Sequence, residues 1–237
     1  MEKPKELKGR VINISDISSE MAGDMFVLMD RYFTVDRKAF EADLSKKEWV
    51  IILEDPDGRL RGFTSLALLK TTLDSKPVQA LYSGDTIIDR DSWGSIELPR
   101  VWGRFMLDAI SKAGKTPIFW FLLSSGYKTY RFLPVFFTEF FPRHDRPTPG
   151  EIRHLLDHIG KKIYGSFFKS VSGTVHLPNP TPLREGIADV STARLSDPHV
   201  KFFVEKNPNY IRGVELACIA PLKIENLRPF IRRTLKA

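Results

Sequence analysis

The chain has 237 residues, of which 42% are hydrophobic and 27% charged, proportions typical of a soluble globular protein with one large domain or one domain and an extension. Its 36 basic and 29 acidic residues give a net charge of +7, which favours polyanionic or acidic partners. The single cysteine, Cys218, excludes an intramolecular disulfide and a cysteine-rich metal site. No apolar run has the roughly 18 residues that cross a bilayer, and residues 1–6 lack the apolar segment of a secretory signal. We therefore expect a cytoplasmic protein.

The basic residues are scattered along the chain and form no long Lys/Arg block. The sequence also has no zinc-finger spacing and no RNP-like aromatic motif, so we do not expect nucleic-acid binding. Phosphate-bearing cofactors and acidic carrier proteins fit the charge better. The alternative is a mildly basic protein without a polyanionic partner.

The N-terminal region predicts a strand and two helices. Residues 9–14 form the predicted strand. Ser18 or Ser19 then offers an N-cap for a helix with apolar residues at helical spacing. A second helix is predicted over residues 37–46.

A hairpin is the next predicted element. Its strands are residues 49–53 and 60–67, and Pro56 and Gly58 lie in the turn between them. Proline fixes φ at the start of such a turn, and glycine supplies the left-handed residue that closes it.

The most informative stretch begins with residues 78–88, which are suited to the interior of a strand. A polar turn that contains Gly94 leads into an amphipathic helix. Pro99 has to lie in the first turn of this helix, where its missing N–H is tolerated, so the helix begins near residues 95–97. A strand that runs into a glycine-bearing turn and a helix start presents backbone N–H groups to an anion.

An apolar strand, residues 116–123, and a short helix with Tyr127 and Tyr130 follow. Residues 135–141 predict a further strand, which Pro142 closes.

A capping box starts the next predicted helix, with Thr148 as N-cap, Pro149 at the first position and Glu151 at the third. Residues 177–182 are proline-rich and predict an extended loop. A short helix after Asp197, a strand at residues 215–219 and a basic C-terminal helix complete the prediction.

The order of elements up to residue 143 resembles the acyl-CoA-binding core of the Gcn5-related N-acetyltransferase (GNAT) superfamily. The resemblance implies an α/β fold with a mixed, mostly antiparallel sheet flanked by helices. Residues 1–143 are then the acyltransferase core, and residues 144–237 a C-terminal extension that packs on the core and completes the sheet or the acceptor pocket. A small appended domain is the alternative.

In this family the carrier's pantetheine lies along the fourth strand, so the resemblance implies that Thr86 and Ile87 contact acetyl-CoA or another acyl-CoA. It also implies that Ser92, Gly94 and Ser95 bind its pyrophosphate.

The family's phosphate turn reads Arg/Gln-x-x-Gly-x-Gly/Ala, whereas this chain has Asp91 at the first position and Ile96 at the last. This departure is compatible with a remodelled CoA site, with a donor presented by an acyl carrier protein, or with loss of donor binding.

The resemblance also implies a general acid that protonates the departing thiolate. The family's Tyr-x-x-x-Gly-Phe pattern is similar to the sequence that starts at Tyr130, so Tyr130 is our first candidate and Tyr127 our second. Both rings have an alternative role in packing. Lys128 and Arg131, which lie nearby, could face phosphate or solvent, and we expect solvent.

Asp85 and Glu97 are candidate bases. Asp85 lies in an apolar strand where the sheet is expected to splay, and a partly desolvated carboxylate there would have a raised pKa. Alternatively, Asp85 only shapes the strand. Glu97 is explained by its interaction with the helix dipole.

His154 and His158 are four residues apart, a spacing that can chelate a metal, but no Glu-rich or cysteine partner accompanies them, and we expect no metal. Cys218 is predicted to be a buried small hydrophobe.

We therefore expect an acyltransferase that moves an acyl group from acyl-CoA, or from an acyl carrier protein, to a small-molecule or other amine-bearing acceptor. The amine would attack directly within a ternary complex, because the sequence contains no evident activated nucleophile. The alternative is a non-catalytic binding protein of the same fold that engages an acidic partner or ligand.

Overall fold

The structure is a computed structural model that describes residues 6–236. Residues 1–5, on which the expectation about a secretory signal mainly depends, lie outside this range. Within it, no helix is both long enough and apolar enough to cross a membrane.

Eight strands are present in the described range. They are β1 (Lys8–Asn13), β2 (Trp49–Glu54), β3 (Leu60–Leu73), β4 (Lys76–Ile88), β5 (Ile118–Ser124), β6 (Phe168–Lys169), β7 (Thr174–Val175) and β8 (Glu215–Pro221).

Eight α-helices accompany the strands in this part of the chain. They are α1 (Ser19–Asp30), α2 (Arg37–Leu44), α3 (Glu97–Ala113), α4 (Tyr127–Tyr130), α5 (Phe132–Phe136), α6 (Gly150–Tyr164), α7 (Pro198–Lys206) and α8 (Pro229–Lys236).

All eight strands form one sheet in the order β1-β2-β3-β4-β5-β8-β7-β6. Strands β4 and β5 are parallel, and the other paired strands are antiparallel. The predicted fold class, a mixed and mostly antiparallel sheet flanked by helices, is confirmed. Residues after 143 supply β6, β7 and β8 to this sheet, while the division of the chain at residue 143 stays a prediction.

Strands β4 and β5 part from each other before they end. Their pairing stops at Ser83 and Leu122. Beyond that point β4 continues along β3 as far as Ile88, and β5 continues along β8 as far as Ser124. The result is a wedge-shaped gap in the middle of the sheet.

A β-bulge in β4 lies at the start of this gap. Ser83 pairs with Leu66 and Thr86 pairs with Thr64, so two residues of β4, Gly84 and Asp85, stand opposite one residue of β3. A bulge of this kind redirects a side chain and often lies beside a functional site.

Three apolar clusters cover the two faces of the sheet. Alternate residues of β2 and β5 point to opposite faces. On one face, α3, α5, α7 and α8 pack on the largest cluster, which contains Trp102 and Trp120. On the other face, α1 and α2 cover one cluster and α6 covers another.

Two predicted elements differ in the structure. Residues 135–141 are not a strand, because the chain forms α5 and then only isolated bridges at Phe137 and Phe141. All four phenylalanines of this stretch are buried, so their pattern reflects burial on several sides and not the alternation of a strand. Pro134 is the third residue of α5, where proline is tolerated.

Helix α6 also begins later than predicted. Pro149 is its N-cap residue and Thr148 does not cap it.

The hairpin between β3 and β4 was not predicted. Strand β3 runs to Leu73, and the turn consists of Asp74 and Ser75, both with positive φ. The sequence signal for such a turn is Asn-Gly or Asp-Gly, and Asp-Ser does not carry it.

Candidate active site

Two cavities meet at the gap between β4 and β5. The smaller cavity has a volume of about 400 Å³ and the larger cavity about 750 Å³. Four residues line both of them, namely Phe33, Thr86, Ser125 and Thr129. Groups bound in the two cavities can therefore face each other across one shared wall.

The smaller cavity contains most of the residues that the sequence suggested for the acyl donor. Thr86 and Ile87 from β4, Gly94 and Ser95 from the turn before α3, and Tyr127 from α4 all line it. Ser92 does not, because it is buried inside the turn.

Basic side chains surround the smaller cavity. Lys128, Arg131 and Arg194 line it, and Arg131 also pairs with Asp197 at 3.2 Å. Lys128 and Arg131 therefore border the cavity as well as solvent. The Lys128 ammonium lies 3.8 Å from the centre of the Trp93 ring, and partial burial together with the charges of Arg90 and Arg194 lowers its pKa. This concentration of positive charge favours an anionic ligand.

The turn before α3 uses several of its own amides. The Ser92 N–H donates to the Asp89 carbonyl at 2.8 Å, and the Ser95 N–H donates to the Ser92 carbonyl at 3.2 Å. The Glu97 N–H donates to the Ser95 hydroxyl oxygen. The amides of Ser92 and Ser95 are therefore occupied, and an anion here depends more on the basic side chains than the family pattern implies.

The structure separates the two candidate tyrosines. Tyr130 is fully buried and lines neither cavity. Its hydroxyl donates to the Pro142 carbonyl at 2.8 Å, and burial raises its pKa far above the usual range. Tyr127, in contrast, lines the smaller cavity, so of the two candidate general acids only Tyr127 lies beside it. Tyr130 packs among aromatic rings of α7 because the short helix α4 turns it towards the core.

Asp85 lies at the bulge and lines the larger cavity. It lies deep in the protein, although the cavity keeps part of its side chain accessible. Burial raises its pKa from 3.8 to about 6, with a further increase from Asp43 and a decrease from Lys47. The bulge depends on Gly84, since a Cβ atom there would lie 2.5 Å from the Ser65 hydroxyl oxygen and 2.8 Å from Cε of Lys47.

Glu215 is a second carboxyl group in the larger cavity, and the sequence prediction missed it. Its Oε1 accepts a hydrogen bond of 2.6 Å from the Ser125 hydroxyl. Burial raises its pKa from 4.5 to about 7; the Ser125 hydrogen bond opposes this, whereas Asp85 and Asp43 add to it. Glu215 is the first residue of the predicted C-terminal strand, and nothing in the sequence indicates that β8 lies beside β5.

Two further polar pairs line the larger cavity. The buried ammonium of Lys47 donates to the Asp43 carboxylate at 2.5 Å, and the Tyr164 hydroxyl donates to the Tyr82 hydroxyl at 2.8 Å. Burial raises the pKa of both tyrosines. Helices α2 and α6, which are far apart in sequence, therefore both contribute to the same cavity.

Other candidate residues have partners elsewhere. The Glu97 carboxylate accepts from the Gly9 N–H and pairs with Arg100, so it holds α3 against β1. His158 hydrogen-bonds Thr71, and His154 lies 3.4 Å from Asp74.

Within residues 6–236, no group of three or more His, Cys, Asp or Glu side chains is arranged to hold a metal. Cys218 is fully buried in β8, and burial raises the pKa of its thiol well above the usual range.

The arrangement of strands and cavities matches the architecture that the sequence resemblance implies, a sheet that opens between its parallel fourth and fifth strands. No protein-family model and no curated protein sequence matches the chain. Solved structures do match part of it.

One is an Enterococcus faecalis protein of unknown function described as a probable N-acyltransferase. It is 17% identical, with 60% of this chain and 38% of that chain covered, and the TM-score is 0.41. A second is a GNAT family N-acetyltransferase from Escherichia coli in complex with CoA, which is 15% identical. The match covers 53% of this chain and 66% of that chain, and the TM-score is 0.37.

A third is the Saccharomyces cerevisiae N-myristoyltransferase with bound myristoyl-CoA, which is 14% identical. The match covers 57% of this chain and 36% of that chain, and the TM-score is 0.39. In each case the match spans less than two thirds of the other chain. These values describe a partial likeness.

Proposed function

We propose that the protein transfers an acyl group from acyl-CoA, or from an acyl carrier protein, to an amine that attacks directly within a ternary complex. The observation that carries this proposal is the wall shared by the two cavities at the gap between β4 and β5. A reaction between two bound partners needs them to be held in contact, and such positioning supplies a large part of the rate.

The smaller cavity is the proposed donor site. Lys128, Arg131 and Arg194 provide positive charge for the phosphates of the carrier. Strand β4 has no β5 partner beyond Ser83. The backbone around Thr86 and Ile87 is therefore open towards the gap, where an extended arm with amide groups can add as a strand does.

The larger cavity is the proposed acceptor site. Asp85 and Glu215 supply negative charge that attracts an ammonium group. Apolar side chains form much of the remaining wall, among them Met29, Phe40, Leu69, Ile163, Phe167 and Leu177. The cavity therefore suits a primary amine with an apolar body.

The reaction forms a C–N bond and breaks a C–S bond. An ammonium group has to lose one proton before its nitrogen can attack and a second as the amide forms, and the sulfur has to gain one. Asp85 is proposed to hold the ammonium group. Tyr127 lines the proposed donor site, whereas Tyr130, the first candidate for the general acid, does not.

Thermal melting and product analysis test the proposal together. Acetyl-CoA, palmitoyl-CoA and free CoA are compared as ligands, because a ligand that binds only the folded state raises the melting temperature. Transfer is then measured as amide formation from the preferred acyl-CoA and 2-phenylethylamine by mass spectrometry. We expect a saturable shift and an amide product.

A Lys128→Ala variant should bind CoA about tenfold or more weakly, since a charge-assisted hydrogen bond contributes about 1.5–3 kcal/mol. Lys112→Ala is the matched control, because Lys112 lies on the exposed surface of α3 and pairs with Asp108. Equal binding by both variants contradicts the proposed donor site.

The second candidate, a non-catalytic binding protein that engages an acidic ligand or partner, is favoured by the occupied amides of the turn before α3 and by the exposed Ile96 side chain at its end. A melting shift with acyl-CoA but no amide product from any amine would support it.

A further inference from the structure

We propose that Glu215 and Ser125 form a proton relay for this acyl transfer, in which Glu215 accepts the proton of the attacking amine and Ser125 passes a proton to the departing sulfur. The inference rests on the proposed function and assigns two residues that the sequence resemblance does not include. Asp85 then serves to hold the acceptor, and Tyr127 to line the carrier's path.

The position of Ser125 is the first support. Ser125 directly follows β5 and belongs to the wall shared by the two cavities. Glu215 lines the larger cavity only. A proton taken up in the larger cavity can therefore reach the smaller cavity through one hydroxyl group.

The hydrogen bond between the two side chains is the second support. The Ser125 hydroxyl donates to Glu215 at 2.6 Å, a length typical of O–H bonds to an ionised carboxylate. The backbone fixes this contact, because Ser124 of β5 pairs with Leu216 of β8.

The charges around Glu215 give it the properties of a base. Burial and the nearby carboxylates of Asp85 and Asp43 raise its pKa to about 7, against the opposing effects of Ser125 and Lys47. A base with such a pKa is poised to accept a proton near neutral pH. The titratable and charged groups that face it come from α2, the turn after it, β4 and α6, and they are Asp43, Lys47, Tyr82, Asp85 and Tyr164.

The ammonium group first gives one proton to solvent and becomes a neutral amine. The amine nitrogen then attacks the thioester carbon, the C–N bond forms, and the second proton moves from nitrogen to the Glu215 carboxylate. Protonated Glu215 then donates to the Ser125 oxygen while the Ser125 proton goes to the sulfur as the C–S bond breaks. The products are an amide and a free thiol, and both side chains are ready for another turnover.

The tyrosines are less suited to this role. Tyr130 is buried away from both cavities. Tyr127 lines the smaller cavity, but its hydroxyl has no hydrogen bond to a carboxyl group among the described residues.

The decisive experiment varies the leaving group. Acetyl-CoA is compared with S-phenyl thioacetate, whose thiolate is a weaker base and leaves with little need for a proton. With acetyl-CoA and 2-phenylethylamine, Ser125→Ala and Glu215→Gln should each lower kcat about 10²- to 10⁴-fold. With the phenyl thioester the loss from Ser125→Ala should shrink by about tenfold or more, while the loss from Glu215→Gln persists.

Ser111→Ala and Glu205→Gln are the matched controls, since both residues are exposed and line neither cavity. An equal loss from Ser125→Ala with both donors overturns the relay, and so does the same leaving-group dependence in Tyr127→Phe. If the wild-type protein forms no amide with either donor, the proposed function is wrong and the relay falls with it. If the wild-type protein forms the amide but the loss from Ser125→Ala does not depend on the leaving group, the relay is wrong and the proposed function stands.

A titration gives a readout that is independent of turnover. The carboxyl ¹³C signal of Glu215, assigned from its loss in Glu215→Gln, should titrate near pH 7. Ser125→Ala should raise this pKa, because the hydroxyl stabilises the ionised carboxylate. An unchanged pKa contradicts the hydrogen bond on which the relay depends.

Discussion

The hydroxyl of Tyr32 donates to the Asp89 carboxylate at 2.6 Å and also accepts the Arg90 N–H at 2.6 Å. One side chain thus connects the end of α1 to the turn that follows β4, beside the smaller cavity. Arg61 and Arg31 also contact Asp89, and these interactions lower the pKa of its carboxyl group despite its burial.

Tyr32→Phe should destabilise the protein, because it leaves a buried carboxylate oxygen and a backbone N–H without this partner. We expect the free energy of unfolding to fall by about 1–3 kcal/mol, measured by urea denaturation. Tyr210→Phe is the control, since the Tyr210 hydroxyl has no hydrogen-bond partner in the part of the chain that the structure describes. Equal losses for the two variants would mean that the Tyr32 hydroxyl contributes nothing specific.

The two buried carboxyl groups should make stability depend on pH. The folded-state pKa is raised above its ordinary value both for Asp85, to about 6, and for Glu215, to about 7. The folded protein therefore binds these protons more tightly than the unfolded chain, and stability is lost as the pH rises from about 4 through these values.

Asp85→Asn and Glu215→Gln should each reduce this loss, by about 1–3 kcal/mol at pH 8 relative to pH 4. Urea denaturation across this range measures the difference between each variant and the wild type, with Glu205→Gln as an exposed control. A variant whose pH dependence coincides with that of the wild type would show that the removed carboxyl group titrates normally.

Loss of the Tyr130 hydroxyl should reduce stability without slowing turnover. Tyr130→Phe removes the hydrogen bond to the buried Pro142 carbonyl and should lower the free energy of unfolding by about 1–2 kcal/mol. The kcat of the folded variant should not change, because the hydroxyl does not reach either cavity. Steady-state kinetics and denaturation on the same preparation separate the two effects, and a large fall in kcat at unchanged stability would restore Tyr130 as the general acid.

Two glycines of α6 provide a matched test of packing. A Cβ atom at Gly160 would lie 2.6 Å from the Phe168 ring, whereas one at Gly150 would have no neighbour within 4 Å. Gly160→Ala should therefore lower the free energy of unfolding by about 1–3 kcal/mol.

Gly150→Ala should be neutral or stabilising, by up to about 1 kcal/mol, because alanine restricts the unfolded chain more than glycine does. Thermal or urea denaturation compares the two variants. Similar effects at both positions would mean that β6 does not pack on α6 as described.

The site was predicted less completely than the fold. Asp85, Thr86, Ile87, Gly94 and Ser95 line the two cavities and lie close together in the sequence, where a strand that leads into a glycine turn and a helix leaves a local pattern. Tyr130 lies in the core and lines neither cavity, since the sequence does not tell which of two tyrosines in a short helix faces the core. Glu215 was missed because its partner Ser125 is distant in sequence. Lys47 was missed although its partner Asp43 is four positions away, because its burial depends on the tertiary structure.

The sequence by itself determined six of the eight described strands, most of the helices and the order that resembles an acyltransferase core, since hydrophobic period, capping residues and turns act over a few positions. Only the tertiary structure decided that β8 lies beside β5, that β4 and β5 part after Ser83, and that Ser125 meets Glu215. Phe119 pairs with Pro221, so these contacts join residues as much as 102 positions apart. They arise from strand pairing and burial of the whole chain, which no local pattern encodes.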